Sequence, residues 1–261
     1  MPQQLELIER RPRGTRAGPP VLFLHGAFAG AWAWDEYFLP YFANAGMHVY
    51  ALSLRGHGAS EGAETLDAAS IDDYVADVAQ AVAQIGALPA VVAHSMGGFV
   101  AQKYLEQGAL AGLALLASTP PQGLIPVMAQ LAWRRPRLFS ELNAFIWSGR
   151  ASRELVRQLL FAGPVDAVRL ERYCGLLQRE SVRAMWDTSL FALPQPWRMQ
   201  RPPLLFLGAE RDELVPPALV QLGAKSLGGE AEIYPGMGHA MMLEAGWQPV
   251  ADRLLRWLKA S

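Results

Sequence analysis

Short, unbroken apolar runs recur along this chain, at residues 20–24, 48–52, 89–93, 112–116 and 203–207, each bounded by turn-forming residues. They are continuous rather than alternating, which predicts strands buried on both faces of a parallel sheet. Between them the period changes. Ile71, Tyr74, Val75, Val78 and Val82 follow a helical spacing behind Ser70-Ile71-Asp72-Asp73, a start signal for a capped helix. Residues 97–107 predict a second helix. Strand alternating with helix predicts a mostly parallel, doubly wound α/β sheet.

The alternation stops near Thr119-Pro120-Pro121 and resumes after Leu193-Pro194-Gln195-Pro196. The stretch between is helical in pattern, and Glu154-Leu155-Val156-Arg157-Gln158-Leu159-Leu160 is clearly amphipathic. Residues 121–201 therefore predict a helical cap inserted into a core made of residues 1–120 and 202–261. The 261 residues and 51% hydrophobic content suit such a globular architecture. A formal charge of −1 gives no global drive toward nucleic acid. The insertion tells a different story. It holds 12 arginines, no lysine and six acids, a net of +6, so the remainder carries −7. Four of the eight tryptophans also fall there. The arginines admit two readings: a solvated outer face of a lid, or a surface meeting an anionic group. Such a group would be a phospholipid head, a carboxylate-bearing acyl chain or an acidic acyl-carrier protein. Cys174 is the single cysteine, and no cluster of histidines and cysteines has metal-ligand spacing, so neither an internal disulfide nor a metal is expected. No apolar run approaches the roughly 20 residues that cross a bilayer. The start, Met1-Pro2-Gln3-Gln4-Leu5-Glu6, does not resemble a leader. A soluble, cytoplasmic protein is the expectation.

Val91-Val92-Ala93-His94-Ser95-Met96-Gly97-Gly98 carries the strongest chemical signal. A buried strand runs into a serine flanked by small residues, and a helix follows. That is the context of a nucleophile elbow, with Ala93 where the G-x-S-x-G pattern has its first glycine. The Met96 amide at the helix start is a candidate oxyanion donor. A serine hydroxyl needs a base, and the base needs an orienting carboxylate. His239, between a strand-like run and the C-terminal helix, and Asp212, just after the run at 203–207, supply the order Ser–Asp–His. After the first run, His25-Gly26-Ala27-Phe28 offers the Ala27 amide as a second oxyanion donor. His25 and His57 read as loop anchors and His94 as a packing residue.

These pieces, with Leu54-Arg55-Gly56-His57-Gly58 and Gly208-Ala209-Glu210-Arg211-Asp212, resemble the α/β-hydrolase superfamily, in its capped serine esterase and lysophospholipase-like branch. The resemblance implies an α/β-hydrolase fold, catalytic Ser95, Asp212 and His239, and no cofactor. The stretch Gly26-Ala27-Phe28-Ala29-Gly30-Ala31-Trp32 is also similar to plant methylesterases and hydroxynitrile lyases. Ser95 argues against haloalkane dehalogenase and epoxide hydrolase chemistry, which need an aspartate at the elbow. Acyl transfer is left: ester hydrolysis first, thioester or carbon–carbon bond hydrolysis as alternatives. A non-catalytic ligand-binding member of the superfamily is a further alternative. The expected substrate is a small acyl ester of short to medium chain.

Overall fold

The computed structural model describes residues 3–12, 14, 18–149 and 151–260. Met1 and Pro2, read above for a leader, and Arg150, one of the 12 arginines of the insertion, lie outside them.

Seven strands form one sheet: β1 (Leu7–Arg10), β2 (Val21–Leu24), β3 (Val49–Leu52), β4 (Ala90–His94), β5 (Gly112–Leu116), β6 (Leu204–Ala209) and β7 (Ala231–Tyr234). Their order across the sheet is β1-β3-β2-β4-β5-β6-β7, and every pairing is parallel except β1 with β3. Strands β2, β4 and β5 are fully buried, which is why they read as solid apolar runs. The pleat divides them between two cores. Val21 and Phe23 face Trp34 of α1 (Trp32–Asp35), Phe38 and Phe42 of α2 (Phe38–Asn44) and Leu254 of α11 (Gln248–Ala260). Leu22 and Leu24 face Tyr74 of α3 (Ile71–Ile85), Phe99 of α4 (Ser95–Tyr104) and Ala224 of α10 (Pro217–Ser226). Helices therefore cover both faces of the sheet.

The predicted start of α3 is made by a reciprocal cap. Ser70 accepts from the Asp73 amide at 3.1 Å, and the Asp73 carboxylate accepts from the Ser70 amide at 2.9 Å. Helix α4 begins at Ser95, two residues before its expected start, because the serine itself turns the chain out of β4.

Between β5 and β6 lie α5 (Leu124–Arg134), α6 (Pro136–Ser148), α7 (Arg153–Leu160), α8 (Ala167–Leu176), α9 (Val182–Trp186) and a π-helical turn (Asp187–Phe191). Leu131, Leu138, Leu142, Phe145, Leu155 and Leu159 form a small core of their own there. Val156, Phe161, Leu170 and Tyr173 join the main core instead, so this segment is packed down on the sheet domain. Among the described residues no helix is long and apolar enough to cross a membrane.

Candidate active site

Strand β4 delivers Ser95 to the carboxyl edge of the sheet, where open α/β sheets place their ligands. Ser95 has φ 51°, a left-handed backbone that few residues other than glycine adopt. The neighbouring glycines let the turn be that tight. A Cβ on Gly97 would sit 2.2 Å from the His25 carbonyl oxygen, and one on Gly98 would sit 2.2 Å from Ser118 Oγ. A Cβ on Gly26 would come within 2.9 Å of Ser95 Cβ, so the loop after β2 lies directly against the serine.

Asp212 and His239 arrive from the ends of β6 and β7. Backbone bonds from Glu210 N to Tyr234 O and from Arg211 N to Met237 O, both 2.9 Å, tie the two loops together. Asp212 Oδ1 accepts from the Leu214 and Val215 amides, each at 2.8 Å, which fixes the carboxylate. Its Oδ2 lies 2.8 Å from His239 Nδ1, and both residues are buried. A carboxylate there holds the proton on Nδ1, leaving Nε2 as the basic nitrogen. The structure thus brings Ser95, His239 and the Gly26-Ala27 loop to one cavity, with Asp212 behind the imidazole.

That cavity holds about 100 Å³. Leu142, Phe145, Leu155 and Leu159 roof it from the segment between β5 and β6. Among the described residues, no Asp, Glu, Lys or Arg lines it. At the other end of the site, the first amides of α4, Met96 included, have no partner within the helix. No hydrogen bond from the Ala27 amide is found among the described residues.

His94 departs from its expected role as a packing residue. It lines the cavity, and its Nε2 lies 2.9 Å from the His239 carbonyl oxygen, so the ring anchors the loop that carries the imidazole. Burial, followed by the nearby His239, pushes its pKa well below the usual value, which keeps it neutral. His25 accepts from the Leu54 amide at Nε2, 3.0 Å, and donates from Nδ1 to Gly26 O, 2.8 Å. Burial is the main reason its pKa falls to about 3.

Two glutamates had no signal in the sequence. Glu244 Oε1 accepts from the Gly238 amide at 2.9 Å and the Ala162 amide at 2.6 Å, joining the His239 loop to the end of α7. Glu180, wholly buried, accepts from Tyr74 Oη at 2.6 Å and faces His57. Glu180 is revealed only by residues far away in the chain, and Glu244 by one near and one distant amide.

Half of the 12 arginines of the inserted segment have a carboxylate partner among the described residues. Arg135, Arg153, Arg157, Arg172, Arg179 and Arg183 each pair with a carboxylate of this chain.

Residues 21–253 match the family described as "Alpha/beta hydrolase family". The chain belongs to that family. Relatives of this family member include a monoacylglycerol lipase of Mycolicibacterium smegmatis, 26% identical over 232 residues, covering 83% of this chain and 80% of that protein. A non-heme chloroperoxidase of Streptomyces lividans is 37% identical over 112 residues, but the match spans only 41% of this chain and 40% of the relative. Among solved structures, a bromoperoxidase from Bacillus anthracis superposes with a TM-score of 0.75 at 18% identity, covering 100% of this chain and 97% of the other. An esterase from Exiguobacterium antarcticum gives 0.71 at 17% identity, covering 98% and 96%. At those identities the likeness is one of fold.

Proposed function

We propose that this family member hydrolyses a carboxylic ester through an acyl-enzyme intermediate. Ser95 Oγ attacks the acyl carbon while His239 Nε2 takes the hydroxyl proton and then hands it to the leaving alkoxide. The Ala27 and Met96 amides donate to the oxyanion. Water, deprotonated by the same nitrogen, releases the acid and frees Ser95. Asp212 holds the ring and supports the imidazolium. Besides substrate and water, each step uses groups of this chain alone, and the proton taken from water returns to Ser95 Oγ as the acid leaves. The observation that carries the reading is the 2.8 Å His239–Asp212 hydrogen bond behind a left-handed Ser95 in one apolar cavity. The lipase and esterase names of the relatives point the same way.

Residues 121–201 act in this reading as a cap that shapes the acyl site. A cavity of about 100 Å³ without charged walls suits a short, uncharged acyl group. For scale, a dry cavity of about 150 Å³ accommodates benzene. Six of the segment's arginines pair with carboxylates of this chain, three of them with acids outside the segment, and none of its described arginines lines the cavity. A small free ester is therefore the favoured substrate.

The test combines a fluorophosphonate probe with a screen of p-nitrophenyl esters from acetate to palmitate, acyl-thioesters and lysophospholipid. Wild type should label, Ser95→Ala should not, and esters near butyrate should turn over fastest. An unlabelled wild type, or equal labelling of Ser95→Ala, sinks the proposal. Faster turnover of thioesters than esters would move the reaction class.

A further inference from the structure

Phe28 directly follows the candidate oxyanion donor Ala27, and its φ of 66° places it, too, in the left-handed region. A bulky aromatic residue adopts that backbone only where its surroundings impose it. Here the surroundings come from the segment between β5 and β6. The Phe28 amide donates to Glu180 Oε2 at 3.3 Å, and the Phe28 carbonyl accepts from the Gln178 amide at 2.8 Å. Residues 178–180 thus grip Phe28 on both sides of its Cα.

Glu180 is held as firmly as it holds. Its Oε1 accepts from Tyr74 Oη at 2.6 Å and from the Ser181 amide at 2.8 Å. Its Oε2 lies 3.2 Å from His57 Nε2, off the line of a good hydrogen bond. The other nitrogen of His57 faces the Arg55 carbonyl oxygen at 3.1 Å. An acceptor oxygen thus stands near each nitrogen of His57, which favours the protonated, charged ring. Burial opposes that charge, but Glu180 outweighs it and raises the His57 pKa; burial likewise opposes ionisation of Glu180, and His57 outweighs it. A wholly buried carboxylate with three hydrogen-bond donors and an imidazole beside it is far more than packing requires.

On the near side, His25 Nδ1 donates to Gly26 O, turning that carbonyl into the loop. The Gly26–Ala27 peptide is trans, so the Ala27 N–H points the opposite way. His25 therefore sets one end of the Ala27 peptide planes and Glu180 the other.

We propose that Glu180 is a positioning residue that aims the Ala27 amide at the oxyanion through its grip on the Phe28 N–H. The inference rests on the acyl-transfer reading above and assigns the inserted segment a part in transition-state stabilisation as well as in shaping the acyl site. In Glu180→Gln one carboxyl oxygen is replaced by a donor. A single acceptor oxygen cannot serve both the Tyr74–Ser181 side and the Phe28–His57 side.

The experiment compares wild type with Glu180→Gln in kcat, KM and affinity for two inhibitors. One is a trifluoromethyl ketone, whose adduct carries an oxyanion; the other is the corresponding neutral amide, which does not. Losing an oxyanion donor outright costs about 10²- to 10³-fold. A misdirected one should lower kcat by about 10- to 100-fold, with the same loss of ketone affinity. KM and amide affinity should stay within about 3-fold, since ground-state binding does not use the donor. Should Glu180→Gln not fold, phenyllactic acid at position 28 removes just the Phe28 N–H and leaves the Glu180–His57 pair intact; the same split is expected. Unchanged kcat and ketone affinity in the folded variant overturn the inference. So does a parallel loss of amide affinity, which marks general disorder of the site. A wild type that ignores both the ketone and the fluorophosphonate overturns the acyl-transfer reading itself, a distinct result.

Discussion

The His94 ring donates to the backbone of His239, from Nε2 to the carbonyl oxygen at 2.9 Å, and the two ring centroids lie 4.6 Å apart. The residue that precedes the proposed nucleophile in the chain thus holds the loop of the proposed base. His94→Ala should lower kcat on a short ester by about 10- to 100-fold, the scale of a misplacement near 1 Å. KM should hardly move. Steady-state kinetics on p-nitrophenyl butyrate, with circular dichroism to verify folding, decide it; an unaltered kcat would reduce the contact to packing.

Asp212→Asn preserves shape and removes the acceptor at His239 Nδ1. Offered an amide donor, the ring moves its proton to Nε2, where it can no longer act as a base. A loss of about 10⁴-fold in kcat is expected. Stopped-flow acylation should slow by the same factor, and a loss below about 10-fold would show that Asp212 does not set the tautomer.

Much of this was readable from sequence alone, for identifiable reasons. Strands β2 to β6 announced themselves because parallel strands between two helical layers must be apolar on both faces. Strand β1 did not: Leu7-Ile8-Glu9-Arg10 is a half-exposed edge strand carrying two charges. Ser95, Asp212 and His239 could be singled out since each follows or adjoins a strand end in a fixed order. Glu180 could not. It counted as one of six acids in a basic segment, whereas its partners Tyr74 and Phe28 stand 106 and 152 positions away. Charge arithmetic treats every carboxylate as solvated, and burial of Glu180 and Asp187 breaks that assumption.

Phe145 meets Phe28 with ring centroids 4.6 Å apart in the wall of the proposed acyl cavity. Phe145→Ala should lengthen the site and shift preference by a few methylenes, raising the octanoate-to-butyrate ratio of kcat/KM by at least about 5-fold, given about 0.8 kcal/mol per buried methylene. Loss of stability of about 3 kcal/mol or more accompanies it. An ester series measured well below the melting temperature provides the check, and an unchanged optimum would place the acyl chain elsewhere.

His25 and His94 are buried and neutral with lowered pKa values, about 3 for His25. Below the unfolded value of about 6.5 the unfolded chain therefore binds protons that the folded chain does not. Stability should fall as pH drops from about 6.5, by up to about 1.4 kcal/mol per pH unit for each ring. His57 has the opposite sign. Its raised pKa contributes stability that is complete below about 6.5 and is lost as pH rises through the folded value. Urea midpoints at pH 5, 6 and 7 should show the acid loss, and His25→Asn should flatten it. A flat wild-type profile would contradict a neutral His25.

The left-handed backbone of Ser95 sets durability against turnover at a single position. A non-glycine residue held there costs about 1–3 kcal/mol, which glycine would relieve in part. Ser95→Gly should melt above wild type, by about 1 kcal/mol of stability, while losing activity altogether; a lower melting temperature would show the turn to be relaxed. In a lineage released from the need to cleave esters, drift toward glycine at this position would be favoured by stability alone. On the proposed reading, the serine found there trades stability for turnover.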